Sequence, residues 1–168
     1  MKISMYQASV PVFSERLRGL ALVLTKGEAN AIERKIDPQV FLTARLAPDM
    51  LPLTRQVQIA TDNAKRGVAR LVGRDAPVYE DTEASFPELQ ARIAKTMDYL
   101  KGIAPDDVDG SEEREIAFKA GPRELKYTGM QYLLHFAMPN FYFHVTTAYD
   151  ILRHNGVPLG KPNFLGAE

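Results

Sequence analysis

The chain has 168 residues, 45% hydrophobic and 25% charged, enough to bury the core of one domain over residues 1–168 without disulfide or metal staples. Its 21 basic residues balance 21 acidic ones and no stretch is uniformly basic, so the electrostatic footprint of a nucleic-acid binder is missing. The lack of cysteine excludes disulfides, thiolate metal sites and cysteine nucleophiles together, and suits a reducing cytoplasm.

The opening MKISMYQASV lacks the uninterrupted apolar run of a secretory signal, and a cytoplasmic location is expected. Ser4-Met5-Tyr6-Gln7 is a capping box, in which a serine oxygen and a glutamine side chain satisfy reciprocal orphan amides at a helix start. Val10, Phe13, Leu17, Leu20 and Leu24 recur at spacings of three and four, which predicts a long helix with Pro11 in its first turns. Lys26-Gly27 ends or kinks it, or the helix continues to Lys35. Asp37 caps a segment with Pro38 at its first position, so residues 38–46 form a short helix or an ordered connection. Pro48 and Pro52 bracket a turn at Asp49-Met50. The second long helix follows, with Leu53, Val57, Ala60, Ala64, Val68 and Leu71 as its apolar stripe and Gly73 as its stop. Residues 74–84 read as a polar loop. Ser85-Phe86-Pro87-Glu88 is another capping box, opening a third long helix that aligns Leu89, Ile93, Met97 and Leu100 and ends before Gly102.

Residues 104–112, rich in Pro, Asp and Gly, read as a turn-rich connection. The period then changes. Ile116 and Phe118, and later Leu125 and Tyr127, alternate with polar residues around Ala120-Gly121-Pro122, which predicts a small β-hairpin. Thr128-Gly129-Met130-Gln131 is a third capping box and opens the fourth long helix, with a break or kink expected near Pro139. His154-Asn155-Gly156 has C-terminal cap chemistry, and the tail VPLGKPNFLGAE reads as an extended arm on the surface. From Thr128 to Tyr149 there is no Asp, Glu, Lys or Arg, so this helix faces an interior. Its Gln131, Pro139, Asn140, Thr146, Thr147 and histidines would be costly against lipid, which makes it a buried helix of a soluble bundle. The elements add up to an all-α fold, a four-helix bundle with a small β-hairpin before the last helix.

No GxxxxGK[ST] loop, GxGxxG turn, GxSxG elbow or HExxH pair occurs, which lowers the nucleotide, dinucleotide, serine-hydrolase and zinc-protease readings. Three histidines remain. At about 100° per residue, His135 and His144 lie on opposite sides of an unbroken helix, and His144 and His154 are nearly three turns apart. They cannot share one ion without a kink. Asn140 and His144 are four apart on one core-facing side, and a histidine there must place its ring nitrogens on a polar side chain, water or a metal. His154 reads as a helix C-terminal residue favoured by the dipole, and His135 as a packing residue. Arg45, Arg55, Lys65, Arg66 and Arg70 at helical spacing read as a solvated face.

The segments SMYQASVPVF, ARLAPDMLPLTRQVQIATDNAK and ARIAKTMDYL, and above all YLLHFAMPNFYFHVTTAYDILRHNGVPLGKPNFLG, resemble a bacterial family of unknown function in the DinB/YfiT-like superfamily. The resemblance runs over almost the whole chain. It implies a four-helix bundle, often a homodimer, holding a divalent metal such as zinc or nickel inside, with thiol-dependent transferases and isomerases among the relatives. Metal-bearing members of that superfamily carry one histidine on the second helix and two, four apart, on the last. Here Asn140 and His144 stand in the last-helix positions, and the second helix has only Gln56, Gln58, Thr61 and Asp62 in the corresponding region.

Two readings follow. In the first, the chain is a small-molecule-binding or structural relative that has lost the three-histidine site, its polar residues forming a satisfied hydrogen-bond network. In the second, a divalent metal on His144, Asn140 and Asp62 serves a thiol-dependent transferase or a hydrolase, with His144 as ligand or general base and Tyr142 or Tyr149 lining the cavity. A coordination sphere around His144 with distances of about 2.0 to 2.3 Å would mark the second, and a direct bond from His144 to a neighbouring side chain or backbone carbonyl the first.

Overall fold

The structure, a computed structural model, describes residues 2–167. Four long helices form the bundle: α1 (Val10–Glu33), α3 (Leu53–Val72), α4 (Phe86–Lys101) and α7 (Met138–His154). They are joined by α2 (Pro38–Leu42), α5 (Pro105–Val108), a hairpin of β1 (Glu115–Ala120) and β2 (Arg123–Thr128), and α6 (Gly129–Tyr132); α8 (Lys161–Leu165) follows. Around the ring α1 packs on α4, α4 on α3, α3 on α7 and α7 on α1, as the apolar stripes require. Phe13, Leu17, Leu24, Val57, Ala64, Leu71, Leu89, Phe141 and Ile151 are completely buried in one continuous core. Each large side chain so buried contributes about 1.5–3 kcal/mol. Phe13 and Phe141 meet edge to face at 4.9 Å, tying α1 to α7.

The first capping box forms, with Gln7 N donating to Ser4 Oγ and Ser4 N to Gln7 Oε1, but it closes only a turn. Helix α1 starts six residues later, because Pro11 has no N–H to give the carbonyl of Gln7 and can sit only in a first helical turn. Gly27 neither ends nor kinks α1. A Cβ there would stand 2.9 Å from Leu152 Cδ1, so this glycine lets α1 and α7 approach closely. The stop at Gly73 is as expected, with φ +71° just past α3.

At Ser85 the cap also forms, Glu88 N donating to Ser85 Oγ while Glu88 Oε2 accepts from Ala84 N. The connection at 104–112 contains α5, one turn whose Asp107 accepts the amide of Ala104 at 3.0 Å. The hairpin pairs Glu115 with Thr128 and Ala120 with Arg123, leaving Gly121-Pro122 as its turn. It buries Ile116 and sets Phe118 and Tyr127 against Tyr132 and Phe136.

The Thr128 box is reciprocal, as its sequence predicts. The expected break near Pro139 takes the form of one π turn, Leu133–Ala137, between α6 and α7. The wider turn absorbs the donor that proline lacks without parting the two helical segments. The tail is no extended arm. It forms α8, whose Phe164 and Leu165 carbonyls accept from Arg16 at 2.9 and 2.8 Å, and it lies so close to α1 that a Cβ on Gly19 would overlap the Phe164 carbonyl oxygen. Among the described residues no helix is long and apolar enough to cross a membrane.

Candidate functional site

The seam between α3 and α7 holds the polar residues the sequence singled out. On α7, His144 is half-buried and its Nδ1 stands 2.7 Å from Gln56 Oε1 on α3. Gln56 itself is 1% exposed, and its Nε2 donates to the carbonyl of Leu51 at 2.9 Å. That second bond fixes the amide, because the flipped form would set two oxygens against each other. Gln56 therefore presents an oxygen, and His144 Nδ1 carries the proton and donates. Burial pushes the His144 pKa below its usual value, so the ring is neutral at pH 7 with its lone pair on Nε2. Among the described residues Nε2 has no hydrogen-bond partner.

Asn140 lies one turn before His144 on the same face of α7. Its Nδ2 donates to the Phe136 carbonyl at 2.7 Å, which leaves Oδ1 as a second acceptor. Tyr142 and Tyr149 project about 140–160° around the helix from His144. Tyr142 helps line a cavity of about 410 Å³ with Pro11, Val12 and Phe164, and Tyr149 packs edge-on to Phe164.

Asp62 does not join this seam. It lies six residues beyond Gln56 on α3, which turns it about 120° away, toward α4. Its carboxylate pairs with Lys65 at 3.0 Å, Arg66 at 2.9 Å and Arg92 at 2.9 Å. Arg92 is the centre of that second cluster. Its side chain is 2% exposed; Nε donates to Thr61 Oγ1 at 2.8 Å, Nη1 to the Glu80 carbonyl at 3.0 Å and to Glu83, and Nη2 to Asp62 and, at 3.0 Å, to Asp81. Lys65 is not part of a solvated face either. It is completely buried, gives Pro77 O a 2.6 Å bond and stands 4.1 Å from the Tyr79 ring centre. Burial pushes its ammonium below the usual range against the opposing pull of Asp62. These bonds hold residues 77–83 across α3 and α4, which makes the polar loop a strap.

Among the described residues no three His, Asp or Glu side chains stand together to hold a metal. The donors that are present fit one poorly. Of the three predicted ligands, Asp62 is neutralised by three cations elsewhere, Asn140 offers one amide oxygen, and His144 offers one nitrogen. A tight zinc or nickel site needs three or more nitrogen or carboxylate donors around one point. Sequence reasoning named Gln56 only as a resident of the region and preferred Asp62. The cue it carried was its place beside Val57 on the buried stripe of α3.

The ring of four helices with a hairpin ahead of the last one is the architecture of a DinB-like bundle. It is similar to the crystal structure of a DinB family member protein from Shewanella denitrificans, at 43% identity and a TM-score of 0.87, over 97% of this chain and 92% of that one. Residues 5–165 match the family described as a domain of unknown function, DUF1993, and the chain belongs to that family. No curated protein matches it.

Proposed function

We propose that this chain is a DinB-like bundle that has given up the metal chemistry of its superfamily and uses the α3–α7 seam to bind a small molecule or to fix helix register. The observation that carries this reading is the bond from His144 Nδ1 to Gln56, an amide on the second long helix, the helix that carries a histidine in the metal-bearing members this chain resembles. An amide in that place gives His144 a partner that needs no ion, and the Leu51 carbonyl completes the chain of donors and acceptors. Asp62, the remaining strong ligand, belongs to the Arg92 cluster.

The second reading, a divalent-metal enzyme of the thiol-dependent transferase or hydrolase type, is favoured by one feature. An imidazole that donates from Nδ1 to an oxygen and keeps Nε2 free is also how metal ligands are commonly held. Elemental analysis of the purified protein beside a His144→Ala variant separates the two. The first reading predicts far less than one zinc or nickel per chain in both, and one equivalent in the wild type that disappears in the variant establishes the second. A homodimer, which the resemblance implies, is part of the proposal; Leu134, Phe143 and Leu165 are each about half exposed. Light scattering at micromolar concentration tests it, and a monomer would remove it.

A further inference from the structure

Arg66, Arg70 and Arg74 recur every four residues on α3 and line a cavity of about 420 Å³ whose apolar wall is Ala69, Ala76 and Val78. Arg70 and Arg74 also line a neighbouring cavity of about 290 Å³ with Arg114, the residue just before β1. The two cavities share Arg70, Arg74 and Asp75 and so form one groove. Arg66 and Arg74 are each paired with a carboxylate, that of Asp62 and that of Asp107. Among the described residues Arg70 and Arg114 have no such partner. Arg70 is nevertheless held in place. Its guanidinium stacks 4.0 Å above the Phe118 ring, and its Nη1 donates to the hydroxyl of the buried Tyr132 at 3.0 Å. Its Nε and Nη2 make no hydrogen bond among the described residues. Arg114 lies against Gly73, where a Cβ would overlap its Nη1. The start of the hairpin thus brings two uncommitted guanidinium groups to one groove.

We propose that this groove binds the phosphate monoester group of a soluble small molecule, its oxygens on Arg70 and Arg114 and its apolar body on Ala76 and Val78. Charge selects the ligand. A phosphate monoester carries about −1.5 to −2 at pH 7 and answers both unpaired cations, whereas a single carboxylate answers one. Every cation lining the groove is an arginine, whose flat fork gives the bidentate contacts that phosphate oxygens accept. Asp75 and Glu115 line the groove without pairing to an arginine, and they set the opposite limit. A polyphosphate or a nucleic-acid backbone would place further negative charge beside them. Val78, 88% exposed, gains cover only from a ligand with an apolar part. At 1.5 Å per residue the groove lies about 20 Å along α3 from Gln56, so this site is separate from the His144 seam.

Titration of the whole chain with phenyl phosphate, inorganic phosphate and benzoate at fixed ionic strength, followed through the arginine side-chain N–H resonances, tests this. The expected result is that phenyl phosphate moves Arg70 and Arg114 with a dissociation constant on the order of millimolar. Inorganic phosphate, with no ring to cover Val78, binds severalfold more weakly, and benzoate roughly 10-fold more weakly. Arg114→Gln, at an exposed position, keeps the fold by circular dichroism and weakens phenyl phosphate roughly 10-fold, the worth of one charge-assisted contact. Arg45→Gln, an exposed position ahead of the other end of α3, leaves it unchanged. Benzoate or inorganic phosphate binding as tightly as phenyl phosphate, an Arg114→Gln chain that binds like the wild type, or no response to any of the three overturns the proposal. Phosphatidylcholine vesicles containing phosphatidate offer the same group on a lipid surface and should leave the chain in the supernatant. Co-sedimentation that Arg114→Gln abolishes would overturn the soluble ligand.

Discussion

Replacing Arg92 by Met tests how the strap is held. The substitution keeps most of the side chain's apolar volume inside the bundle and removes a guanidinium whose five N–H groups reach Thr61, Glu80, Glu83, Asp62 and Asp81. Breaking a buried ion pair by deleting one partner costs about 3–5 kcal/mol, mostly from the charge left behind. Here the residue of charge is uneven. Asp62 keeps Lys65 and Arg66, Asp81 keeps Arg55, and Glu83, whose side chain is 12% exposed, keeps only the amide of Gln58. The loss therefore belongs at the lower end, about 3 kcal/mol, a large share of the 5–15 kcal/mol that a domain of this kind has. Urea unfolding followed by far-ultraviolet circular dichroism reads it as a lower midpoint with an unchanged slope. Adding Glu83→Gln removes the orphaned charge and recovers about 1 kcal/mol or more. A single-variant loss below about 1 kcal/mol would refute the reasoning, because it would place Arg92 in the company of exposed ion pairs.

Other perturbations have equally definite outcomes. Gly19→Ala sets a methyl against the Phe164 carbonyl, so α8 is displaced at a cost of about 1–3 kcal/mol and proteases cut the chain after Asn155 sooner than in the wild type. Gln56→Leu leaves His144 Nδ1–H without its acceptor, costs about 1–2 kcal/mol by urea unfolding, and lets the proton populate Nε2. Acid sensitivity follows from Asp81. Burial pushes its carboxyl up, but the bonds and charges of Arg55 and Arg92 outweigh this and hold it below the usual range. A carboxyl depressed on folding adds stability that is fully present above its unfolded value near pH 4 and is lost as pH falls through the folded one. Asp81→Asn should thus flatten the stability curve below about pH 4; a variant curve as steep there as the wild type would contradict it.

Much of the fold was legible because its signals are local. The Thr128 and Ser85 caps, the Asp37-Pro38 start, the Gly73 stop and the alternation around Gly121-Pro122 each involve residues within a few positions of one another. Where local signals competed, reading them was harder. The Ser4 box is real, yet Pro11 sets the start of α1, and the short helices α5 and α8 were hidden in segments whose Pro and Gly read as turns. The site was less legible for a different reason. Gln56 and Asp62 are equally polar in a helical pattern, and only the packing of α3 between α7 and α4 decides which of them meets His144. Arg92 did leave a trace. It sits with Leu89, Ile93 and Thr96 on the inward face of α4, opposite a loop carrying Glu80, Asp81 and Glu83, a placement no solvated arginine needs.

The central claim is that His144 answers to Gln56 and not to an ion. It is tested most directly by the imidazole nitrogen spectrum of the metal-free protein before and after one equivalent of zinc. A proton on Nδ1, a free lone pair on Nε2 and no change on adding zinc is the predicted result; a proton on Nε2, or a stoichiometric shift of that nitrogen with zinc, would contradict it.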